Sequence, residues 1–165
     1  MKTTIVLFSL FVASACYGQH VTPAFSLTAG SDFRAGLTSL GIEGGIYTTN
    51  RKHSFMATLE ADRIDNADLL KYGHPELVHP EITNSVSSHT VGLKYNMRVL
   101  NAAPVSLYAV VQPWYSINLN IPSAWAGGRV TWTRKGDMVS VEVMRDVRCN
   151  RYAIRLVFTT FKKHN

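Results

Sequence analysis

The 165-residue chain lacks any apolar run long enough to cross a bilayer as a helix, which takes about 20 residues in succession. A helical membrane protein is therefore excluded. With only two cysteines, Cys16 and Cys149, it is not a disulfide scaffold. Charge is scarce as well: Asp, Glu, Lys and Arg together make up 17% of the residues, against about 25% in an ordinary soluble domain. Disorder needs low hydrophobicity with high net charge, and a hydrophobic content of 46% rules it out. No sustained helical period runs through the chain. What is left is one compact, sheet-rich domain, because the length allows one domain rather than two, with 17 basic against 11 acidic residues and a formal net charge of +6.

The first 18 residues read as an address. Lys2 supplies a positive charge, Ile5 to Val12 a short apolar core, and Ala13, Ser14 and Ala15 the small residues that follow, which is the three-part build of a secretory signal peptide. Cleavage after Gly18 makes 1–18 the signal peptide and 19–165 the mature domain. Alternatively, Ala13-Ser14-Ala15-Cys16 serves as a lipobox and Cys16 is acylated. Loss of Cys16 leaves Cys149 alone, so no internal disulfide forms. Cys149 sits in Arg148-Cys149-Asn150-Arg151, which reads as a turn, with no histidine base close in sequence.

From residue 24 onward, period-two alternation marks strands with one apolar face. Between 90 and 99, Val91, Leu93, Tyr95, Met97 and Val99 share one face, and Thr90, Gly92, Lys94, Asn96 and Arg98 the other. Eight such segments are expected, near 24–35, 38–49, 53–64, 89–101, 104–117, 123–135, 138–148 and 151–161. Their usual length of about 10–13 residues exceeds the globular mode of about 5–6 and suits a tilted strand crossing a bilayer, which needs about 9–11. One short helix is expected at 67–72, with Asn66 as N-cap and Gly73 beyond its end. Links two, four and six are tight, whereas link three, 64–88, is long. Short turns on one side and longer loops on the other are the asymmetry of outer-membrane barrels.

Alternation alone does not say whether the apolar face is a core or a lipid-facing wall. A soluble secreted or periplasmic β-barrel binding protein would turn it inward. The polar face mixes glycines (Gly30, Gly41, Gly45, Gly92, Gly127) with charges, as a crowded lumen requires. Tyr95, Tyr115, Trp132, Tyr152 and Phe158 lie on the apolar face, Tyr115, Trp132, Tyr152 and Phe158 near strand ends, where interfacial girdles sit. On these features the chain resembles the small eight-stranded outer-membrane β-barrels, of the OmpX and OmpA transmembrane-domain kind, over Phe25 to Phe161. That resemblance implies an all-β, antiparallel, up-and-down transmembrane barrel in the cell outer membrane. It also implies that the chain is monomeric, surrounded by outer-membrane lipid and handled by the barrel assembly machinery. Such barrels usually stop at a terminal aromatic, whereas here Phe161 is followed by Lys162-Lys163-His164-Asn165.

Sorting by parity places Arg34, Lys94, Arg98, Arg129 and Arg155 in the lumen opposite Asp32, Glu43, Glu60, Asp62, Glu142 and Asp146. Eight strands enclose only enough room for side chains, and buried charges are tolerable only in pairs. The expectation is an ion-paired plug rather than a channel. Basic residues are scattered rather than clustered with exposed aromatics, which argues against a nucleic-acid partner. His74-Pro75-Glu76 and His79-Pro80-Glu81 form a short duplication in the long loop. Imidazole and carboxylate are sound ligands in principle, but each Pro stiffens its neighbourhood and two mobile His-Glu pairs make no preformed site, so no metal or cofactor is expected. Tyr72, His74, Glu76, Leu77, His79 and Glu81 are instead candidate contacts for an extracellular protein or ligand. Ser87 and His89 both face lipid by parity, near the outer leaflet, which leaves a lipid hydrolase of the deacylase type as an enzymatic alternative. The primary expectation is non-enzymatic.

Overall fold

The computed structural model describes residues 21–32, 37–78 and 85–161. The eight strands are β1 (Val21–Asp32), β2 (Leu37–Thr48), β3 (His53–Asp65), β4 (Ser85–Ala102), β5 (Val105–Ser116), β6 (Ile121–Arg134), β7 (Asp137–Asp146) and β8 (Tyr152–Phe161). Each pairs antiparallel with its neighbour in sequence, and β1 pairs with β8, so the sheet closes in up-and-down order. Closure leaves no edge strand, and every strand completes its ladder inside the chain.

Local chemistry fixes the connections. Between β6 and β7 the two-residue link Lys135-Gly136 has both φ angles positive, 50° and 101°, as a type I′ turn requires when it must match strand twist. Between β2 and β3, Arg51 adopts φ 53°. There the Asn50 carboxamide oxygen accepts hydrogen bonds from the Thr48 hydroxyl (2.7 Å) and the Lys52 amide (2.9 Å). A register shift between Arg98 and Leu100 marks a bulge in β4, which turns both Val99 and Leu100 outward.

Helix α1 (Asn66–Tyr72) occupies the long connection. The N-cap is Asp65, whose carboxylate accepts from the Asp68 amide at 2.7 Å. It is not Asn66: β3 runs one residue further than its alternation suggested, and the acceptor one position earlier faces the free amides. Gly73 closes the helix at φ 86°. Its amide donates to Leu70 O and that of His74 to Leu69 O, both at 3.0 Å, the bonding of a Schellman motif. A 3-10 turn, Pro75–Leu77, follows. Because β3 and β4 reach Asp65 and Ser85, the link is shorter than the expected 64–88.

Candidate functional site: the apolar outer wall, the ionic interior and the capped mouth

Register and parity divide every strand into an outer and an inner row. The outer row is apolar and exposed, with Leu27 at 54%, Leu40 at 61% and Leu156 at 45% exposure among its members. Among the described residues, charge returns to this row only at its rims. Arg63 on β3 and Arg145 on β7 mark the rim beside the long loop, and Arg134 and Asp137 mark the opposite one. On β3 the stretch from His53 to Arg63 advances ten residues, about 33 Å at about 3.3 Å each, or about 25 Å along the barrel axis at a tilt of about 40°. That is the height of an outer-membrane apolar band. Tyr95, Tyr115, Trp132, Tyr152 and Phe158 all belong to the outer row. Tyr95 packs on Phe55 with centroids 5.0 Å apart, and its hydroxyl lies 2.8 Å from His53 Nδ1.

The inner row is packed with polar and charged side chains through its middle, which holds two ionic clusters. In the first, Lys94 is bound to Glu43 and, at 3.1 Å, to Glu142. Arg129 meets Glu142 at 2.6 Å and Glu43 at 3.7 Å, and donates to the Tyr47 hydroxyl at 2.9 Å. In the second, Arg155 pairs with Glu60 at 3.0 Å and donates to Gln112 Oε1 at 2.8 Å, while Gln112 Nε2 donates to Glu60 at 2.7 Å. Three cations thus face three carboxylates, all buried. Inner-row glycines make the space: a Cβ on Gly41 would lie 2.6 Å from Glu60 Cγ, and one on Gly30 would lie 2.7 Å from Arg155 Cγ. Below the clusters, Ala24, Tyr47, Met56 and Met138 close the end where the chain's described termini meet, with Phe161 against them. Phe161 is an inner-row aromatic, edge-on to Tyr47 at 5.2 Å and covered by the Arg51 guanidinium at 4.4 Å.

Above the clusters the mouth is apolar. Leu69 and Tyr72 of α1, Leu119, and Cys149 pack with Trp114, Ile121 and Trp125. Trp125 lies under two guanidinium groups, Arg151 at 5.4 Å and Arg155 at 5.1 Å. Arg151 pairs with Asp62 at 2.7 Å and donates to Arg63 O at 2.6 Å. Arg148 donates to Tyr72 O at 3.2 Å and stacks over its ring, and Lys71 donates to Cys149 O at 3.2 Å. The loop between β3 and β4 is thereby stapled to the loop between β7 and β8. Burial raises the Asp68 carboxyl and lifts the Tyr72 phenol far above its ordinary range. It also pushes the Cys149 thiol, which donates to the Tyr72 hydroxyl at 3.1 Å, up to about 11.

Glu43, Glu60, Asp62, Lys94, Arg129, Glu142 and Arg155 sit in ion pairs as their parity suggested. Two others do not. Asp146 is buried, but it accepts from Ser123 Oγ (2.8 Å) and the amides of Arg148 (2.9 Å) and Cys149 (3.3 Å), organising the β7–β8 turn, and among the described residues no cation pairs with it. Arg98 precedes the bulge and lines a half-open hollow with Arg51, Asn101 and Tyr108, outside the network. Tyr72, expected on the contact surface, is 3% exposed because α1 folds over the mouth. The site also contains residues the parity sort passed over: Gln112, Tyr47 and Arg151. Arg34, His79, Glu81, the 1–18 segment with Cys16, and 162–165 lie outside the described residues, as does the Asp32 side chain. His74 Nδ1 lies 2.8 Å from Glu76 Oε1, which leaves the first half of the duplication a self-contained pair. A backbone hydrogen bond within Glu76 and then His74 hold the Glu76 carboxyl below its usual range. Ser87 and His89 do face outward, but among the described residues no hydrogen bond joins the Ser87 hydroxyl to the His89 ring.

No family model and no curated protein matches the sequence. Among solved structures, the chain is similar to the de novo designed protein TMB2.3, with a TM-score of 0.57 and 11% identity over 87% of this chain and 95% of that one. It is also similar to the outer membrane protein Ail of Yersinia pestis, solved in a phospholipid bilayer nanodisc, with a TM-score of 0.49 and 9% identity over 85% of this chain and 99% of that one. At 11% identity the likeness to TMB2.3 is one of fold, and the fold is a small, closed, eight-stranded barrel.

Proposed function

We propose that the chain is a non-enzymatic barrel of the cell outer membrane, exported by way of residues 1–18, with a lumen shut to ions and a capped outer mouth as its interaction surface. The observation that carries this is the radial sorting. Every strand turns its apolar row outward, and six buried charges close on each other around the axis. An exterior of Leu, Val, Ile and Phe about 25 Å tall suits hydrocarbon and would aggregate in water. The tight-turn end, with Phe161, faces the periplasm on this reading. The α1 end faces outward, with His74, Glu76 and Leu77 available to an extracellular protein or ligand. The outer row of β8 (Tyr152, Ile154, Leu156, Phe158) is the face offered to the barrel assembly machinery, since Phe161 points inward.

The test is mobility of purified membranes on an SDS gel with and without boiling, followed by planar-bilayer recording of the extracted protein. Detergent-dependent extraction, a heat-shifted band and no large steady conductance are expected. Extraction into buffer alone would overturn the membrane assignment, and a large steady conductance would overturn the closed lumen.

A further inference from the structure

We infer that the outer wall of β3 and β4 carries a site for one phosphate-bearing lipid of the outer leaflet, its headgroup on Arg63, Ser87 and His89 and an acyl chain in the hollow beneath. This rests on the membrane reading proposed above. Arg63 lies directly opposite Ser87, and Ala61 opposite His89. All three polar side chains are therefore in the outer row, exposed, and within one cross-strand patch. Among the described residues no carboxylate pairs with Arg63. Its neighbour Asp62 points to the inner side and is held by Arg151 at 2.7 Å. The strand bearing the two donors is pinned in place: Asn118 accepts from the His89 amide and donates to Ser87 O, each at 2.8 Å.

The wall below them is dented. Across β1, β2 and β3 the register sets Ala29 and Ala61 on either side of Leu40, with His89 next in the row. Shallow hollows of about 230, 250 and 460 Å³ lie side by side there, the first two meeting at Ala61 and His89, the first and third at Leu40, and the second and third at Leu59, so that together they run down from the polar patch. A guanidinium at headgroup height recognises phosphate with charge-assisted hydrogen bonds. The adjoining apolar hollow selects a phosphate that brings its own acyl chain over the free anion. Arg145, at the same rim of the barrel on β7, lies over the Tyr152 ring at 5.9 Å instead, which makes it the comparison position.

The experiment is native mass spectrometry of the full barrel in dodecyl maltoside, with lipid A, dephosphorylated lipid A and inorganic phosphate as probes. One lipid A per barrel is expected, with little retention of the dephosphorylated form and no displacement by excess inorganic phosphate. Arg63→Gln should weaken retention on the order of tenfold. Leu40→Trp, which fills the hollow, should weaken it also, and Arg145→Gln should not. Heat-shifted gel mobility is measured for each variant. If the barrels keep that shift while Arg63→Gln and Leu40→Trp hold lipid A as the unaltered chain does, or if inorganic phosphate displaces it, the lipid site is wrong and the membrane reading stands. If the unaltered chain shows no shift, the membrane reading fails first.

Discussion

Replacing Glu142 by Gln tests whether the lumen charges are truly withdrawn from water. Glu142 is 0% exposed, and it is bound by Lys94 at 3.1 Å and Arg129 at 2.6 Å. With Glu43 these four groups sum to zero; the amide leaves a net +1 with no solvent to absorb it. Breaking a buried pair from one side costs about 3–5 kcal/mol. Here Glu43 still touches Lys94 and lies 3.7 Å from Arg129, so the lower end, about 3 kcal/mol, is expected. Adding Lys94→Met restores neutrality, leaving Arg129 with Glu43. The double variant should be no less stable than Glu142→Gln alone, a coupling of about 2 kcal/mol or more. Urea unfolding from phospholipid vesicles, followed by tryptophan fluorescence and gel mobility, reads both. A loss below about 1 kcal/mol for Glu142→Gln, the size of an ordinary solvated contact, or simple additivity in the double variant, would refute the reasoning.

A Cβ on Gly127 would come within 2.0 Å of Val143 O and 2.9 Å of Met144 Cα, while one on Gly128 meets only Tyr108 O at 3.8 Å. Gly127→Ala should therefore lower stability by about 1–3 kcal/mol and Gly128→Ala should leave the urea midpoint nearly unmoved. For Cys149, a thiol pushed up to about 11 from the ordinary 9.0 is roughly one part in a thousand thiolate at pH 8, against about one in ten, and the thiolate is the reactive form. Alkylation by iodoacetamide at pH 8 should be about a hundredfold slower in the folded barrel than in urea, and should accelerate as pH rises toward 11; equal rates in both states would remove the buried, capped mouth from the account.

Much of the barrel was legible because a strand that separates an apolar outer wall from a polar, packed interior must alternate. All eight strands and the outward placement of Leu93, Val143 and Leu156 followed from period two. So did the ion-pair members Glu43, Lys94 and Glu142. Parity fails where it is interrupted or outranked. The bulge after Arg98 resets the inner row, so the lumen beyond it cannot be counted through. Trp114 and Trp125 look like girdle residues by type but sit inside, because the mouth is plugged by apolar side chains and guanidinium stacking rather than by ions. Tyr72 does not stand out as a core residue in the sequence, because its burial comes from α1 folding across to Arg148 and Cys149, the latter 77 residues away in the chain. Gln112 carries no charge to betray its place between Arg155 and Glu60.

The three tryptophans offer the most direct measurement of which way the apolar row points. Trp132 is 45% exposed on the outer wall, while Trp114 and Trp125 are 5% and 3% exposed inside. In vesicles of phosphatidylcholine brominated on the acyl chain, the account predicts partial fluorescence quenching that disappears in Trp132→Phe and persists in Trp114→Phe and Trp125→Phe. Quenching that survives Trp132→Phe, or none at all in the unaltered protein, would contradict it.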